Sequence, residues 1–259
     1  MLIHSVLCAE AHVTTSNYRL APQVIFLQIQ DGSARLLDLG GNFYAISPMG
    51  ARMLSETLKV GTRTAAERIA TEYPTERSCV RRDLHAFLHD LEKKRLIYAN
   101  KLFRKKTQSK YTLSLSILLP LLRYISIRPT SLEKKAWVLL MLAAVSLRLF
   151  GWPQTIASWQ AYLQKHASGS PTAPLEQSVK DIDHIVCTVA ACHPFHVECK
   201  ERALTCWWLL ATAGFSASLV LGVTLFPLGC HCWCEAGQFV INNDQDRYEQ
   251  FTPICSYGV

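Results

Sequence analysis

From Ala203 to Cys234 the chain carries no Asp, Glu, Lys or Arg. A stretch of that length stays out of water either by spanning a bilayer or by forming the interior of a domain. Gly214, Gly222, Pro227 and Gly229 punctuate it, and its composition changes midway from helix formers to β-branched residues. A spanning helix would not be interrupted in this way. The run predicts a buried helix followed by a buried strand at the centre of a globular domain. A second apolar run, 136–147, is bounded by Lys135 and Arg148 and is short for a span.

Cys199 stands just ahead of the charge-free run. Ala203, Cys206, Trp207 and Leu210 recur at helical spacing, and Gly214 ends the pattern. The predicted helix has one buried stripe and places Cys199 in its first turn. There the unpaired backbone N–H groups and the positive end of the helix dipole favour thiolate over thiol. A cysteine chosen for packing would more often lie mid-helix, as Cys206 does.

Downstream comes Cys230-His231-Cys232-Trp233-Cys234-Glu235. On a strand, alternation sends His231, Trp233 and Glu235 to one face and the three cysteines to the other. Ala236-Gly237 predicts a turn, after which 238–242 returns. A turn centred on Gly237 pairs His231 with Asn243, whereas a two-residue turn pairs it with Asn242 and leaves Asp244 as the diagonal neighbour. A thiol at a helix start, an imidazole on a strand and an orienting side chain beside it form the arrangement of a papain-like cysteine nucleophile. The candidate catalytic residues are Cys199, His231 and either Asn243 or Asp244.

The N-terminal third has a different pattern. Residues 24–30, 34–39 and 42–46 alternate or run apolar, separated by Asp31-Gly32 and Gly40-Gly41, and predict three short strands with tight turns. Ser47-Pro48 is a helix start, and the first helix runs to about Leu58. Residues 62–73 and 76–95 are two more helices, the latter with Val80, Leu84, Phe87, Leu88 and Leu91 at spacings of three and four. Leu96-Ile97-Tyr98 closes the unit.

Charge separates the regions. Residues 1–100 hold 12 basic and 10 acidic side chains, 101–150 hold 10 and 1, and 151–259 hold 5 and 9. The near-neutral first third argues against a nucleic-acid binder, which needs a basic face. Residues 101–110 read as a basic linker; 113–124 and 132–150 look helical, parted by Arg128-Pro129. These helices either pack on the catalytic domain with their basic side chains in water, or offer a basic surface to an anionic partner or membrane face. Residues 168–174 are a loop. Eight of the ten cysteines lie in 187–255. The first residues lack an export signal, so reduced thiols in a cytoplasm are expected.

The order of elements in about 18–100, carried by LLDLGGNFYAISPMGARML and the helix Val80-Arg81-Arg82-Asp83-Leu84-His85-Ala86-Phe87-Leu88, resembles the winged-helix module called a RiPP recognition element, or PqqD-like domain. Such modules capture the leader of a precursor peptide as an added strand, by main-chain pairing and side-chain pockets. The resemblance implies a leader groove between the 42–46 strand and the 76–95 helix, with Asn42, Phe43, Tyr44, Ile46, Val80, Asp83, Leu84 and Phe87 as its residues.

The later string is Cys199-x-x-Arg202-Ala203-Leu204, then 219–223, Pro227, His231-x-Trp233-x-Glu235 with Gly237, and 240–244. It resembles the lasso peptide leader peptidases, the B proteins, which have transglutaminase-like folds. The resemblance implies an α+β chain: a recognition domain in 1–100, a linker in 101–112 and a transglutaminase-like cysteine protease domain in 113–259. It further implies hydrolysis of one peptide bond between leader and core in a bacterial cytoplasm, with Cys199 as nucleophile and His231 as base. The family's third member is an Asp; ungapped spacing lands on Asn243, and Asp244 is next. The partners implied are the precursor peptide and an asparagine-synthetase-like cyclase that uses ATP. No cofactor and no metal is expected in this chain, and it has no Walker-type phosphate loop.

Two rival readings remain. Cys230, His231, Cys232 and Cys234, with Cys187, Cys192, His193 and His196, contain enough soft ligands for zinc, but no pair has knuckle spacing and a strand separates His231 from its neighbours. A non-catalytic adaptor that presents the precursor to the cyclase is the other, and it would bind without turnover.

Overall fold

The computed structural model describes residues 3–7, 16–73, 76–99, 120, 131–166, 171, 174–242 and 248–259. It is a mixed α+β structure of two compact units, Met1–Lys110 and Tyr111–Val259. The expected linker and the expected helix at 113–124 lie, apart from residue 120, outside the described residues.

The first unit begins with β1 (Ile3–Leu7), β2 (Tyr18–Leu20), β3 (Val24–Ile29), β4 (Ala34–Asp38) and β5 (Asn42–Ile46). Then follow α1 (Pro48–Val60), α2 (Thr62–Glu72), α3 (Arg77–Lys93) and β6 (Ile97–Ala99). The three strands and three helices read from the sequence are present. The closing segment forms β6, and β1 and β2, which pairs with β6, are additions. The main sheet runs β1-β3-β4-β5, all antiparallel, so β1 covers the outer side of β3 and β5 ends the sheet.

Local chemistry sets the helix boundaries. Ser47 accepts the Gly50 N–H on its hydroxyl at 3.2 Å and Pro48 opens α1, the fixed φ of proline suiting a first helical turn. Gly61, at φ 81°, joins α1 to α2 in a conformation that costs other residues a Cβ clash. The core joins Phe26, Leu36 and Ile46 of the sheet to Leu54, Ala65, Leu84, Leu88 and Leu91 of the three helices.

The second unit supplies α4 (Leu132–Phe150), α5 (Trp152–His166), α6 (Leu175–Ala191) and α7 (Cys199–Thr212). Its strands are β7 (Ser218–Leu225), β8 (Leu228–Ala236), β9 (Phe239–Ile241) and β10 (Thr252–Gly258). They form one antiparallel sheet in the order β10-β7-β8-β9. The sequence reading gives α4 and α7 but assigns no helix to the stretches that form α5 and α6, on either side of the 168–174 loop.

Instead of presenting one buried stripe, α7 is enclosed on nearly every side. Every residue from Ala203 to Ala211 is buried, because α4, α5, α6, β7 and β8 all touch this helix. That is why the segment can dispense with charge. Its Trp207 donates its indole N–H to Ala217 O at 3.0 Å, tying α7 to the start of β7. No helix among the described residues is long and apolar enough to cross a membrane.

Gly222, on β7 opposite His231, is required by contact. A Cβ there would lie 2.5 Å from the Trp233 ring and 3.1 Å from Phe251 Cβ. Gly222→Ala is therefore expected to destabilise the unit by about 1–3 kcal/mol, the usual range for overpacking. The check is a lower urea midpoint with unchanged slope.

Candidate functional site

The nucleophile candidate sits where expected. Cys199 is the first residue of α7, following Glu198 at the cap, whose N–H donates to the Glu201 carboxylate at 3.0 Å. The cap satisfies one donor ahead of the helix and leaves the thiol half-buried at its start.

His231 lies on β8, and the alternation holds. The His231 ring stacks on Trp233 with centroids 6.0 Å apart and meets Phe251 at 5.3 Å, while the Trp233 indole N–H donates to the Glu235 carboxylate at 2.8 Å. Cys232 and Cys234 turn to the other face and are buried. Among the described residues no group of three or more His, Cys, Asp or Glu is placed to hold a metal.

The hairpin differs from the expected register. Pairing runs Ala236↔Phe239, Glu235↔Val240 and Cys234↔Ile241. The turn is Gly237-Gln238, with Gly237 at φ 57°. Neither the Gly237-centred turn nor the pairing of His231 with Asn242 is formed. The ladder stops after three pairs because Asn242 leaves extended backbone for φ 64°. Asn243 and Asp244 lie outside the described residues.

Where the ladder stops, the edge of β8 opens and Cys199 comes up to it. The backbone N–H of Cys232 acts to lower the pKa of the Cys199 thiol, and Cys232 O accepts from the Asn242 side chain at 3.1 Å. The thiol thus meets the strand at the residue after His231. Asn242 spans the junction: its amide also donates to Cys199 O at 2.9 Å, and its backbone N–H donates to Asp183 of α6 at 3.0 Å. The sequence reading considered Asn242 only as a hairpin partner of His231, and it missed Asp183 and Phe251. A hint was available for Asn242, since asparagine tolerates the left-handed region that ends a strand.

Electrostatics correct the expectation of a thiolate-ready cysteine. Burial raises the Cys199 thiol above its ordinary pKa, and Glu198 adds to this; the Cys232 N–H, Lys200 and Arg202 oppose it without prevailing. The balance of these influences favours thiol over thiolate at this position. Its neighbours are raised further: Cys230, mainly by burial and then by Cys199, reaches about 12, and burial pushes Cys206, Cys232 and Cys234 well up.

These shifts give stability a sign. A thiol raised in the folded state contributes fully below its unfolded pKa, roughly 8.5. The contribution is lost as pH climbs toward the folded value. Each such thiol removes about 1.4 kcal/mol per pH unit in that window. Urea midpoints should therefore fall steeply between pH 9 and about 12, where Cys230 titrates, and they should fall less in Cys230→Ser.

The loop before Cys199 carries aromatic side chains. His193 lies between Trp137 of α4 and Phe195, at 5.1 and 5.7 Å, and Arg148 sits over Phe195 at 5.7 Å. His196 is exposed beside Glu198.

In the first unit the expected peptide-binding residues divide. Asn42, Phe43 and Asp83 are exposed; Tyr44 and Phe87 are half-buried against the core. Lys94 lies 5.8 Å over the Tyr44 ring. Val80 and Leu84 are a correction: they lie on the core stripe of α3, and Leu84 has no exposed surface. A helix turns its apolar stripe inward, so neither side chain can line a groove. Ile46 is likewise buried, and β5 presents only its backbone edge there. Among the described residues nothing pairs with that edge.

Comparison with known families finds two matches. Residues 33–97 match coenzyme PQQ synthesis protein D (PqqD), and residues 141–256 match the transglutaminase-like superfamily. The search of curated proteins and that of solved structures each return no significant match.

Proposed function

From a chain that joins a PqqD recognition domain to a transglutaminase-like domain, the fused architecture of lasso peptide B proteins, we propose a cysteine endopeptidase that removes the leader from a lasso precursor peptide. The two domains together support peptide binding and protease-like chemistry in the maturation of ribosomally made peptides. The observation that carries the finer reading is the placement of Cys199, at a helix start, against Cys232 of β8, the strand that also holds His231.

The steps follow from these groups. The leader adds as a strand to the open edge of β5, and the leader–core junction enters the Cys199 site. His231 takes the Cys199 proton, and the sulfur attacks the scissile carbonyl carbon. The Cys199 backbone N–H, at the helix start, is the assigned oxyanion donor. Collapse of the tetrahedral adduct breaks the C–N bond, and His231 returns the proton to the departing core amine. Water, deprotonated by His231, then attacks the thioester; the C–S bond breaks, the leader leaves as its carboxylic acid, and His231 returns the proton to the Cys199 sulfur. Asn243 or Asp244 orients the imidazole.

The reaction needs no cofactor in this chain; ATP would belong to the cyclase that receives the freed amine. The setting is a bacterial cytoplasm, where the thiols stay reduced. The test is mass spectrometry of a precursor peptide incubated with wild type and with Cys199→Ala. One cut made by wild type alone supports the protease. Binding without a cut, with and without cyclase and ATP, would assign the adaptor role.

A further inference from the structure

We infer that Asn242, seated on Asp183, is a positioning residue whose carboxamide fixes the first residue of α7 against β8 and so sets the Cys199 thiol relative to His231. The inference rests on the roles proposed for Cys199 and His231.

Three features of Asn242 point the same way. First, both protons of its amide nitrogen are used on carbonyls of two different elements, Cys199 O at 2.9 Å and Cys232 O at 3.1 Å. Second, the two carbonyls belong to Cys199 itself and to Cys232, the residue whose N–H bears on the Cys199 sulfur, so the clamp acts at the thiol's own main chain and at its strand neighbour. Third, the backbone is held in the left-handed region at φ 64° with the residue 2% exposed. That conformation ends β9 and leaves its N–H without a ladder partner, and Asp183 accepts that N–H at 3.0 Å. Asp183 also takes the Cys187 thiol at 3.8 Å, and Arg202 bears on Cys187, which extends the support back into α6 and α7.

The chemistry is specific to an amide. An aspartate offers only acceptors and would oppose two carbonyl oxygens. An alanine would lose both donors and strain the backbone, since few residues with a Cβ accept that φ. Glycine tolerates the backbone and loses only the clamp. Asn242→Gly therefore separates positioning from folding. Asp183→Asn keeps an oxygen that can accept the Asn242 N–H, while Asp183→Ala does not.

The experiment measures three quantities on Asn242→Gly, Asn242→Asp, Asp183→Asn and Asp183→Ala in the full chain. They are kcat and KM for precursor cleavage, the pH dependence of iodoacetamide alkylation at the Cys199 peptide, and the thermal midpoint. Asn242→Gly is expected to lose about 10²-fold in kcat, the usual effect of a small misplacement of a reacting group, with KM within about twofold. Its alkylation profile should move to higher pH, because the sulfur loses the Cys232 N–H. Asp183→Asn should keep most of the activity that Asp183→Ala loses.

Wild-type kcat and alkylation in Asn242→Gly would overturn the assignment. So would a loss of kcat that follows the thermal midpoint while the alkylation profile stays in place. If Asn242→Gly fails to fold, the two Asp183 variants decide by the same readouts. Should wild type cut no precursor, the protease reading fails, while the alkylation profiles still decide the clamp.

Discussion

Cys199→Ala is expected to abolish precursor cleavage, by at least about 10³-fold, while leaving leader affinity unchanged. The sulfur is the only group at the start of α7 that can form the acyl intermediate, and its removal leaves only oxyanion stabilisation and binding. His231→Ala should lose nearly as much, and the double variant little more, because nucleophile and base act as a unit. The raised Cys199 pKa makes the dependence on His231 strong: without a base, burial holds the proton on sulfur. Single-turnover cleavage followed by mass spectrometry checks the activity, and fluorescence anisotropy of a labelled leader checks the binding. A His231→Ala variant that cuts at the wild-type rate would remove the histidine from the mechanism. Asn243→Ala and Asp244→Ala, run alongside, identify the orienting residue as whichever costs more.

A precursor whose leader is shortened to the few residues before the scissile bond should be cut with kcat/KM lower by about 10²–10³-fold, nearly all of it in KM. Docking on β5 converts encounter with the thiol into an intramolecular event at an effective concentration in the millimolar range for a short flexible connection. Since the part of the leader remote from the scissile bond is not chemically altered during attack, its contacts are equal in ground and transition states and leave kcat alone. Hydrogen exchange is the structural check. Adding leader peptide should protect amides in 42–46, the strand that ends its sheet, and leave β4 as it was. A leader-truncated precursor cut as efficiently as the full one would separate the recognition unit from catalysis.

Much of this was legible where local chemistry decides structure. Ser47-Pro48 and the apolar spacing of α3 mark their elements in the sequence alone, and so does Cys199 just ahead of the charge-free run that begins at Ala203. The alternation of 230–235 placed His231 beside Trp233 correctly because a strand admits only two faces. The illegible parts depend on partners distant in sequence. α5 and α6 have apolar periodicity, Ile156, Trp159 and Leu163 in one and Val179, Ile182 and Val186 in the other, yet they sit between proline- and serine-rich segments that read as connection. β1 was missed because one short strand has no meaning until β3 pairs with it. The hairpin register turned on which of two adjacent residues took the first turn position, which sequence alone does not show. Val80 and Leu84 were assigned by resemblance to a groove, whereas their spacing already marked a core stripe.

The brevity of β9 sets regularity against activity in this hairpin. A residue such as valine at position 242 would favour extended backbone and a fourth rung on the ladder, and by ordinary measures that is a better strand. It would also occupy the edge of β8 that the thiol now reaches. Selection for thermal resilience alone would thus tend to zip the hairpin shut and abolish the proposed cleavage, a local case of the trade-off between robustness and turnover. A library sorted first for heat tolerance and then for cleavage should be depleted at position 242 of the residues that best suit a sheet.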